Sequence, residues 1–212
     1  MSALNATLSE ILHVIGQKFL IPCMVVLILL MIAAVWQIGD LLVEIFAERR
    51  KCKADTAFLI REIHQKGAGG LKKLIEESGL LPRQKKALLS LSESGDLPKA
   101  ARTALAEKLL AAEEEYCERS TAVADMVAKL GPMFGLLGTL IPLGPGIVAL
   151  GQGDTATLAG SLAVAFDTTI SGLISAAICL VISNIRKRWY DSDLVSLEAL
   201  MECVLEEVGE DA

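Results

Sequence analysis

Three long stretches of the chain are almost free of charged side chains. Residues 19–39 and 130–151 contain no Asp, Glu, Lys or Arg, and residues 158–183 contain a single one, Asp167. A helix needs about 20 mostly apolar residues to cross the ~30 Å hydrocarbon core of a bilayer. The pattern therefore predicts three transmembrane helices, which we place at residues 19–46, 130–151 and 158–184.

The rest of the chain divides around these helices into an all-α membrane protein with long cytoplasmic helical extensions. The first apolar stretch exceeds the core of a typical signal peptide, so we expect a retained anchor. The remaining segments are an outer amphipathic segment (1–18, with Leu4, Leu8, Ile11, Leu12 and Ile15 on one face), a cytoplasmic helical insert and stalk (47–129), an outer turn (152–157) and a cytoplasmic amphipathic C-terminal helix (185–212).

Basic residues flank the same side of all three predicted membrane helices. They follow the first helix, precede the second and follow the third, at Arg49, Arg50, Lys51, Lys53, Lys129, Arg186, Lys187 and Arg188. Lys and Arg near helix ends favour the cytoplasmic side. The insert and the C-terminus are therefore predicted to be cytoplasmic, with the N-terminus outside.

Glycine and proline are expected to divide the cytoplasmic insert into short helices. The breaks are predicted at residues 67–70, at Gly79 with Pro82 and at Gly95 with Pro98. No Gly or Pro follows Pro98 until Gly131, so residues 98–130 predict one helix of ~50 Å that runs directly into the second membrane helix.

The C-terminal segment has one apolar helix face. Its members recur at spacings of three and four residues, which is typical of an amphipathic helix: Leu194, Leu197, Leu200, Met201, Val204 and Leu205. This face needs a cover, which is either the stalk, a neighbouring subunit or the rest of its own chain.

Composition argues against several function classes. The net charge is −6, and the segment 48–129 holds sixteen basic and thirteen acidic residues, which is unlike the basic stripe of a nucleic-acid surface. The five cysteines are scattered and the two histidines are isolated, so neither a metal site nor a disulfide is indicated. No nucleotide-binding motif is visible, and we expect no cofactor.

The second predicted membrane helix carries small residues along one stripe, which let another helix approach closely. Residues on or beside this stripe are Gly135, Gly138, Thr139, Pro142 and Gly146. Pro142 and Pro145 each lack an amide donor, so carbonyl groups near Gly138 and Ile141 are expected to need a hydroxyl group or water.

The third predicted membrane helix has two polar or small-residue stripes. One consists of Asp167, Ser171 and Ser175, and the other of Ala165, Thr169, Gly172 and Ala176. At ~100° per residue, Asp167 and Thr169 point about 200° apart and Thr168 lies between them. A regular helix therefore cannot direct Asp167 and Thr169 at one pore.

Each of these polar residues has two interpretations. An acid inside a membrane helix costs ~2.5–3.5 kcal/mol on insertion scales, which makes Asp167 a functional candidate, but a neutral or hydrogen-bonded aspartate that joins subunits fits equally well. A lone Thr or Ser in a membrane helix commonly bonds the carbonyl four residues back. Two hydroxyl-bearing stripes on adjoining small-residue helices favour a hydrated path instead.

The order of these features resembles the MotA/TolQ/ExbB proton channel family. One anchor, a cytoplasmic insert, a long helix that enters the membrane through residues 135–139 (GLLGT), a short outer turn and a third helix with Thr169 and Gly172 all follow in that order. The similarity is strongest from about residue 129 to residue 188. The three-helix layout resembles ExbB and TolQ rather than the four-helix MotA proteins.

The resemblance implies a pentameric ring of this chain around a dimer of a single-span partner similar to ExbD, TolR or MotB, in the inner membrane of a prokaryotic cell. In such complexes the partner's membrane aspartate carries the ion, and hydroxyl groups matching Thr139 and Thr169 line its path. Gly135, Gly138 and Gly172 would admit the partner helices. Ion flow then drives rotation of one ring relative to the other.

The chain departs from the family pattern at two places. ExbB-like proteins carry a glutamate about five residues before the third-helix threonine, where this chain has Val164 and its acid is Asp167. Pro142 and Pro145 interrupt a helix that is less broken in ExbB-like proteins. Both departures leave open whether Asp167 carries an ion or is structural.

We therefore predict an ion-conducting subunit, for protons or sodium ions, of a motor complex that converts an ion gradient into mechanical work. The predicted ion pathway is Thr139, Asp167, Thr168, Thr169 and Ser171. The residues predicted to pack against partner helices are Gly135, Gly138, Pro142, Gly146, Gly172 and Ala176. The alternative is a non-conducting membrane scaffold that recruits cytoplasmic proteins through its stalk and tail. An intramembrane enzyme is disfavoured, because no nucleophile with its base and no metal constellation is visible.

Overall fold

A computed structural model describes residues 15–49 and 56–210, without the side chains of residues 47–49, 66–69 and 208–210. Every regular element in these ranges is a helix, which confirms the all-α class there. The helices are Leu20–Val43 (α1), Thr56–Glu77 (α2), Pro82–Ser92 (α3), Lys99–Gly151 (α4) and Thr155–Glu210 (α5), and a π-helical segment, Glu44–Arg49, follows α1. Most of the predicted outer segment 1–18 lies outside the described residues, as do Arg50, Lys51 and Lys53.

Three helical stretches are long and apolar enough to cross a membrane. They are Ile15–Phe46, Lys99–Gly151 and Thr155–Glu207. Each contains one of the stretches that lack charged side chains, so the prediction of three membrane helices is confirmed. The assembly of these helices into a ring of five chains stays a prediction.

Helices α4 and α5 are longer than the membrane segments within them. α4 combines the predicted stalk with the second membrane helix, although Pro132, Pro142 and Pro145 lie inside it. The expected interruption at Pro142 and Pro145 is therefore wrong. A membrane helix tolerates proline where neighbouring helices and side chains compensate for the lost amide donor. α5 likewise combines the third membrane helix with the C-terminal amphipathic segment.

A short turn separates α4 from α5. Gly153 has a φ of 78°, a left-handed conformation that glycine adopts without a steric penalty. The Asp154 carboxylate then accepts hydrogen bonds from the Thr157 amide at 3.0 Å and from the Thr157 hydroxyl at 2.5 Å. These hydrogen bonds cap the first turn of α5, and they lower the pKa of Asp154.

The chain forms two compact units. We call residues 1–39 with 122–183 the membrane unit, and residues 40–121 with 184–212 the insert unit. In the membrane unit, α1, α4 and α5 share a small core of Leu30, Ala34, Ala124, Val127 and Cys179. The Cys23 thiol donates to the Phe134 carbonyl at 3.3 Å, which adds a contact between α1 and α4.

The core of the insert unit covers the apolar face of the C-terminal segment. Its largest fully buried side chains come from α2, α3 and α5: Leu71, Ile75, Leu88, Leu91, Leu197, Leu200 and Val204. Each fully buried leucine of this kind stabilises the fold by ~1.5–3 kcal/mol. Ala106 of the stalk belongs to the same core, and Leu105, Leu109 and Leu110 of the stalk pack against it. The stalk and the short helices of the insert therefore cover this face together.

Two of the three predicted breaks in the insert are confirmed. α2 ends before Gly79 and α3 begins at Pro82, while Gly95 and Pro98 lie between α3 and α4. The break predicted at residues 67–70 is wrong, because α2 continues through them. Each of the three glycines in this run costs ~1 kcal/mol relative to alanine in a helix, and the burial of Leu71, Leu74 and Ile75 directly after the run offsets that cost.

Candidate functional site

Helices α4 and α5 of the membrane unit approach each other through glycine. A Cβ atom built on Gly131 would lie 2.6 Å from the Gly172 carbonyl oxygen, and one on Gly138 would lie 2.6 Å from Thr168 Cβ. A Cβ on Gly172 would lie 3.1 Å from Gly135 Cα. Carbon atoms in contact are normally ~3.5–4.0 Å apart. We call these four glycines the glycine seam, and a side chain at 131, 138 or 172 would force the helices apart.

All six residues predicted to pack against partner helices are buried within the chain itself: Gly135, Gly138, Pro142, Gly146, Gly172 and Ala176. The seam continues at Gly146, where a Cβ would lie 3.1 Å from Ser161 Cβ, and at Ala176, whose Cβ would lie 3.0 Å from one on Gly131. This small-residue face therefore serves first to join α4 to α5. A role toward another chain's helix stays a prediction.

The three candidate threonines donate their hydroxyl groups to nearby backbone carbonyls. Thr168 is buried against Gly138 and donates to the Ala165 carbonyl at 2.9 Å. Thr169 donates to the same carbonyl at 3.1 Å and lies 3.5 Å from the Gly135 carbonyl across the seam. Thr139 donates to the Leu136 carbonyl at 2.6 Å. Thr139 and Thr169 are only half-buried, so their oxygens remain accessible as acceptors.

Asp167 lies on another side of α5. Its side chain is exposed and lines a groove of about 190 Å³ together with Met24, Leu27, Ile28 and Met31 of α1 and with Thr168 and Ser171. Ser171 donates its hydroxyl to the Asp167 carbonyl at 2.7 Å. The structure therefore brings Asp167, Thr168 and Ser171 together, whereas Thr139 and Thr169 do not line this groove.

A second carboxylate of the membrane unit was not a candidate in the sequence. Ser183 of α5 is buried, and its hydroxyl donates to Asp125 Oδ1 of α4 at 2.5 Å. Ser183 shares a helix face with Ser175 and Cys179, because the three are spaced by four residues. That spacing was the available signal, but the assignment of Asp125 to the stalk concealed its partner.

The insert unit contains a buried ion pair that sequence reasoning also missed. Arg186 Nε lies 2.9 Å from Glu44 Oε2, and their side chains are 6% and 13% exposed. A guanidinium nitrogen of Arg186 also donates to the Ser120 carbonyl at 3.4 Å. Burial and the adjacent Glu44 carboxylate raise the pKa of Tyr190. In the sequence, Arg186 serves only as a topology signal, and Glu44 falls inside the first predicted membrane helix, residues 19–46.

This ion pair lines a cavity of about 400 Å³ within the insert unit. A second ion pair in its wall joins Arg83 Nε to Glu113 Oε1 at 3.3 Å, and the Arg83 guanidinium stacks 3.1 Å from the centre of the Tyr116 ring. Both guanidinium groups of the wall thus have carboxylate partners. Asp40 and Asp193 also line the cavity, so its wall has four carboxylates and two guanidinium groups.

The structure describes one of the two histidines, His64, and four of the five cysteines. His64 Nδ1 lies 2.8 Å from Glu207 Oε1 at the surface of the insert unit. Cys23, Cys117, Cys179 and Cys203 are free thiols. Within residues 15–49 and 56–210, no three His, Cys, Asp or Glu side chains are grouped so as to hold a metal ion.

Comparison with known proteins places these helices in one family. A profile described as the MotA/TolQ/ExbB proton channel family matches residues 73–199, which is more than half of the chain. The match includes α3, all of α4 and most of α5, and so the glycine seam, Thr139 and Thr169. No curated protein matches the chain significantly. With its three apolar helices, the chain is a multi-pass membrane protein that belongs to the MotA/TolQ/ExbB proton channel family.

Proposed function

We propose that this chain is the ion-conducting subunit of a motor complex in the inner membrane of a prokaryotic cell, a transport protein and not an enzyme. The observation that carries the proposal is the family match over α4 and α5, together with half-buried hydroxyl groups beside the glycine seam. Several copies of the chain, five by resemblance to the family, surround a dimer of a single-span partner similar to ExbD, TolR or MotB. Protons or sodium ions are the conducted species.

Thr139 and Thr169 are the residues that contact the ion-carrying carboxylate of the partner. Both hydroxyl groups donate to backbone carbonyls of their own helix, so each can rotate toward a charged carboxylate and back when it becomes neutral. A hydrogen bond to a charged group contributes ~1.5–3 kcal/mol. One charge that crosses 100 mV supplies ~2.3 kcal/mol, which is of the same size as the free energy of one such hydrogen bond.

Substitution of Thr169 tests this role. Thr169→Val keeps the shape of the side chain and removes the hydroxyl, so ion flux in vesicles that contain the chain and its partner should fall at least about tenfold. Thr103→Val is the matched control. Thr103 is exposed on α4, and its hydroxyl also donates to the carbonyl four residues back, at 3.1 Å. Unchanged flux in Thr169→Val, with assembly intact, would remove Thr169 from the pathway.

Two variants distinguish an ion-carrying role of Asp167 from a structural one. Asp167→Asn keeps hydrogen bonding and removes the charge, whereas Asp167→Ala removes both. If Asp167 carries an ion, both variants lose flux; if it is structural, Asp167→Asn conducts normally and only Asp167→Ala fails. Its groove contains four apolar side chains of α1, in which a fixed charge is costly.

The competing function is a non-conducting scaffold that recruits proteins through its stalk and tail. Burial of Leu197, Leu200 and Val204 in the insert unit removes the apolar tail face as a docking surface. Wild-type vesicles with the partner that show no flux under either a proton or a sodium gradient would favour the scaffold.

A further inference from the structure

A row of buried polar side chains lies along one face of α5 in the membrane unit. Thr168, Ser175, Cys179 and Ser183 are all buried, at spacings of seven, four and four residues. A buried hydroxyl needs a hydrogen-bond partner, and Thr168 and Ser175 find one in carbonyls of α5 itself. Ser183 differs, because its hydroxyl crosses to the Asp125 carboxylate of α4.

The Ser183–Asp125 hydrogen bond joins a hydroxyl donor to a carboxyl acceptor. The oxygens are 2.5 Å apart, within the ~2.5–2.7 Å typical of a hydroxyl bound to a carboxylate. Ser183 could instead donate to the carbonyl of Cys179, four residues back, as Ser175 does to Ser171. The serine thus has a second partner available whenever Asp125 becomes neutral.

Asp125 and Asp167 lie at different depths of the helix pair. No other acidic residue occurs at 126–151 of α4 or at 155–183 of α5. Asp167 precedes Ser183 by sixteen residues, or ~24 Å along a helix. This length is most of the ~30 Å hydrocarbon thickness. Ser183 therefore holds Asp125 near the end of the membrane unit that carries the basic flanks.

We infer that Asp125, held by Ser183, is the ion-accepting group at the basic-flanked end of the conduction pathway. A proton that leaves the pathway binds the Asp125 carboxylate, Ser183 turns to the carbonyl of Cys179, and the proton passes on to water. The carboxylate then regains the Ser183 hydroxyl, so the only covalent bond that forms and breaks is the one to the moving proton. A sodium ion would neutralise the same carboxylate by binding it directly. This inference rests on the proposed function.

The alternative role for this pair is a clamp that only joins α4 to α5. The two roles predict different results for Asp125→Asn, whose amide oxygen can still accept the Ser183 hydroxyl. A clamp survives this change, whereas an ion acceptor does not. Asp125→Glu makes the reverse distinction, because it keeps the carboxylate and disturbs the short contact.

The experiment measures ion flux in vesicles that contain the full chain and its partner, under an imposed membrane potential. We expect Asp125→Asn and Asp125→Ala to lose flux by about tenfold or more, as for other positioned proton-transfer groups, and Asp125→Glu to keep more flux than either. Glu118→Gln, an exposed site two turns earlier on α4, is the control and should conduct normally. Normal flux in Asp125→Asn, or less flux in Asp125→Glu than in Asp125→Asn, would overturn the inference.

If Asp125→Asn fails to assemble, Ser183→Ala can still distinguish an ion acceptor from a clamp. It removes the contact and keeps the carboxylate, so an ion acceptor that Ser183 only positions should keep more flux in Ser183→Ala than in Asp125→Ala. A loss as large as that of Asp125→Ala would instead establish the clamp. Absence of flux in the wild-type complex would overturn the proposed function, whereas wild-type flux that is insensitive to Asp125 would overturn this inference alone.

Discussion

Alanine at Gly138 should separate α4 from α5, whereas alanine at Gly160 should not. A Cβ at position 138 would lie 2.6 Å from both Cβ and Oγ1 of Thr168. Rotation of the Thr168 side chain cannot relieve the first contact, because Cβ does not move with χ1. A Cβ at position 160, in α5, would meet no other part of the chain within 4 Å.

The difference between these two variants isolates the packing cost. Both replace glycine by alanine inside a helix, so the gain of ~1 kcal/mol in helix propensity is common to them and cancels. The contact at 138 is short by about 1 Å of the ~3.5 Å that carbon atoms need. Overpacking of this kind costs ~1–3 kcal/mol, and Gly138→Ala should be less stable than Gly160→Ala by that amount.

Thermal unfolding in detergent, followed by far-ultraviolet circular dichroism, measures this difference. For a chain of about 200 residues, 1 kcal/mol corresponds to ~2–4 °C in Tm. Gly138→Ala should therefore unfold ~2–12 °C below Gly160→Ala. Thr168→Gly in the Gly138→Ala background removes the opposing Cβ and should recover part of the loss. Equal Tm values for the two alanine variants would refute the close approach of α4 and α5 at Gly138.

Three further outcomes follow from the charged and titratable groups. Arg186→Met leaves Glu44 buried without its partner and should cost ~3–5 kcal/mol in denaturant unfolding, most of which a second substitution, Glu44→Leu, should restore. Burial and Glu113 raise the pKa of Cys117 to about 11, so its alkylation by iodoacetamide, followed by mass spectrometry, should be slow at pH 8 and should accelerate until the pH reaches that value. The pKa of Asp154 is lowered in the folded chain, so its cap is fully effective above the ordinary value of 3.8 and is lost as the pH falls through the folded value. Asp154→Ala should accordingly remove part of the decrease in Tm measured between pH 5 and pH 2.

The membrane helices are predictable from the sequence because the bilayer imposes one simple requirement, an apolar stretch of sufficient length. The angular separation of Asp167 and Thr169 is predictable for a similar reason, because it depends only on the helical repeat. The continuity of α2 through residues 67–70 is not, since it depends on burial of Leu71, which is a tertiary contact.

The two polar pairs that join distant parts of the chain also cannot be predicted from local sequence patterns. Arg186 and Glu44 are 142 positions apart, and Ser183 and Asp125 are 58 apart. Neither pair has a motif, and each residue alone has an ordinary explanation, as a topology signal, a helix end or a small membrane residue. Only the packing of the helices shows that these side chains bond each other.

The positions of Asp167 and Thr169 restrict any mechanism that uses both. Thr169 lies 3.5 Å from the Gly135 carbonyl at the seam between α4 and α5, while Asp167 faces a groove with α1. An ion in contact with Thr169 is therefore on the other side of α5 from Asp167. Transfer between them needs either a rotation of α5 through about 200°, which the glycine seam opposes, or a route around the helix. Loss of flux in Asp167→Asn would therefore mean that the groove beside α1 is itself part of the ion pathway.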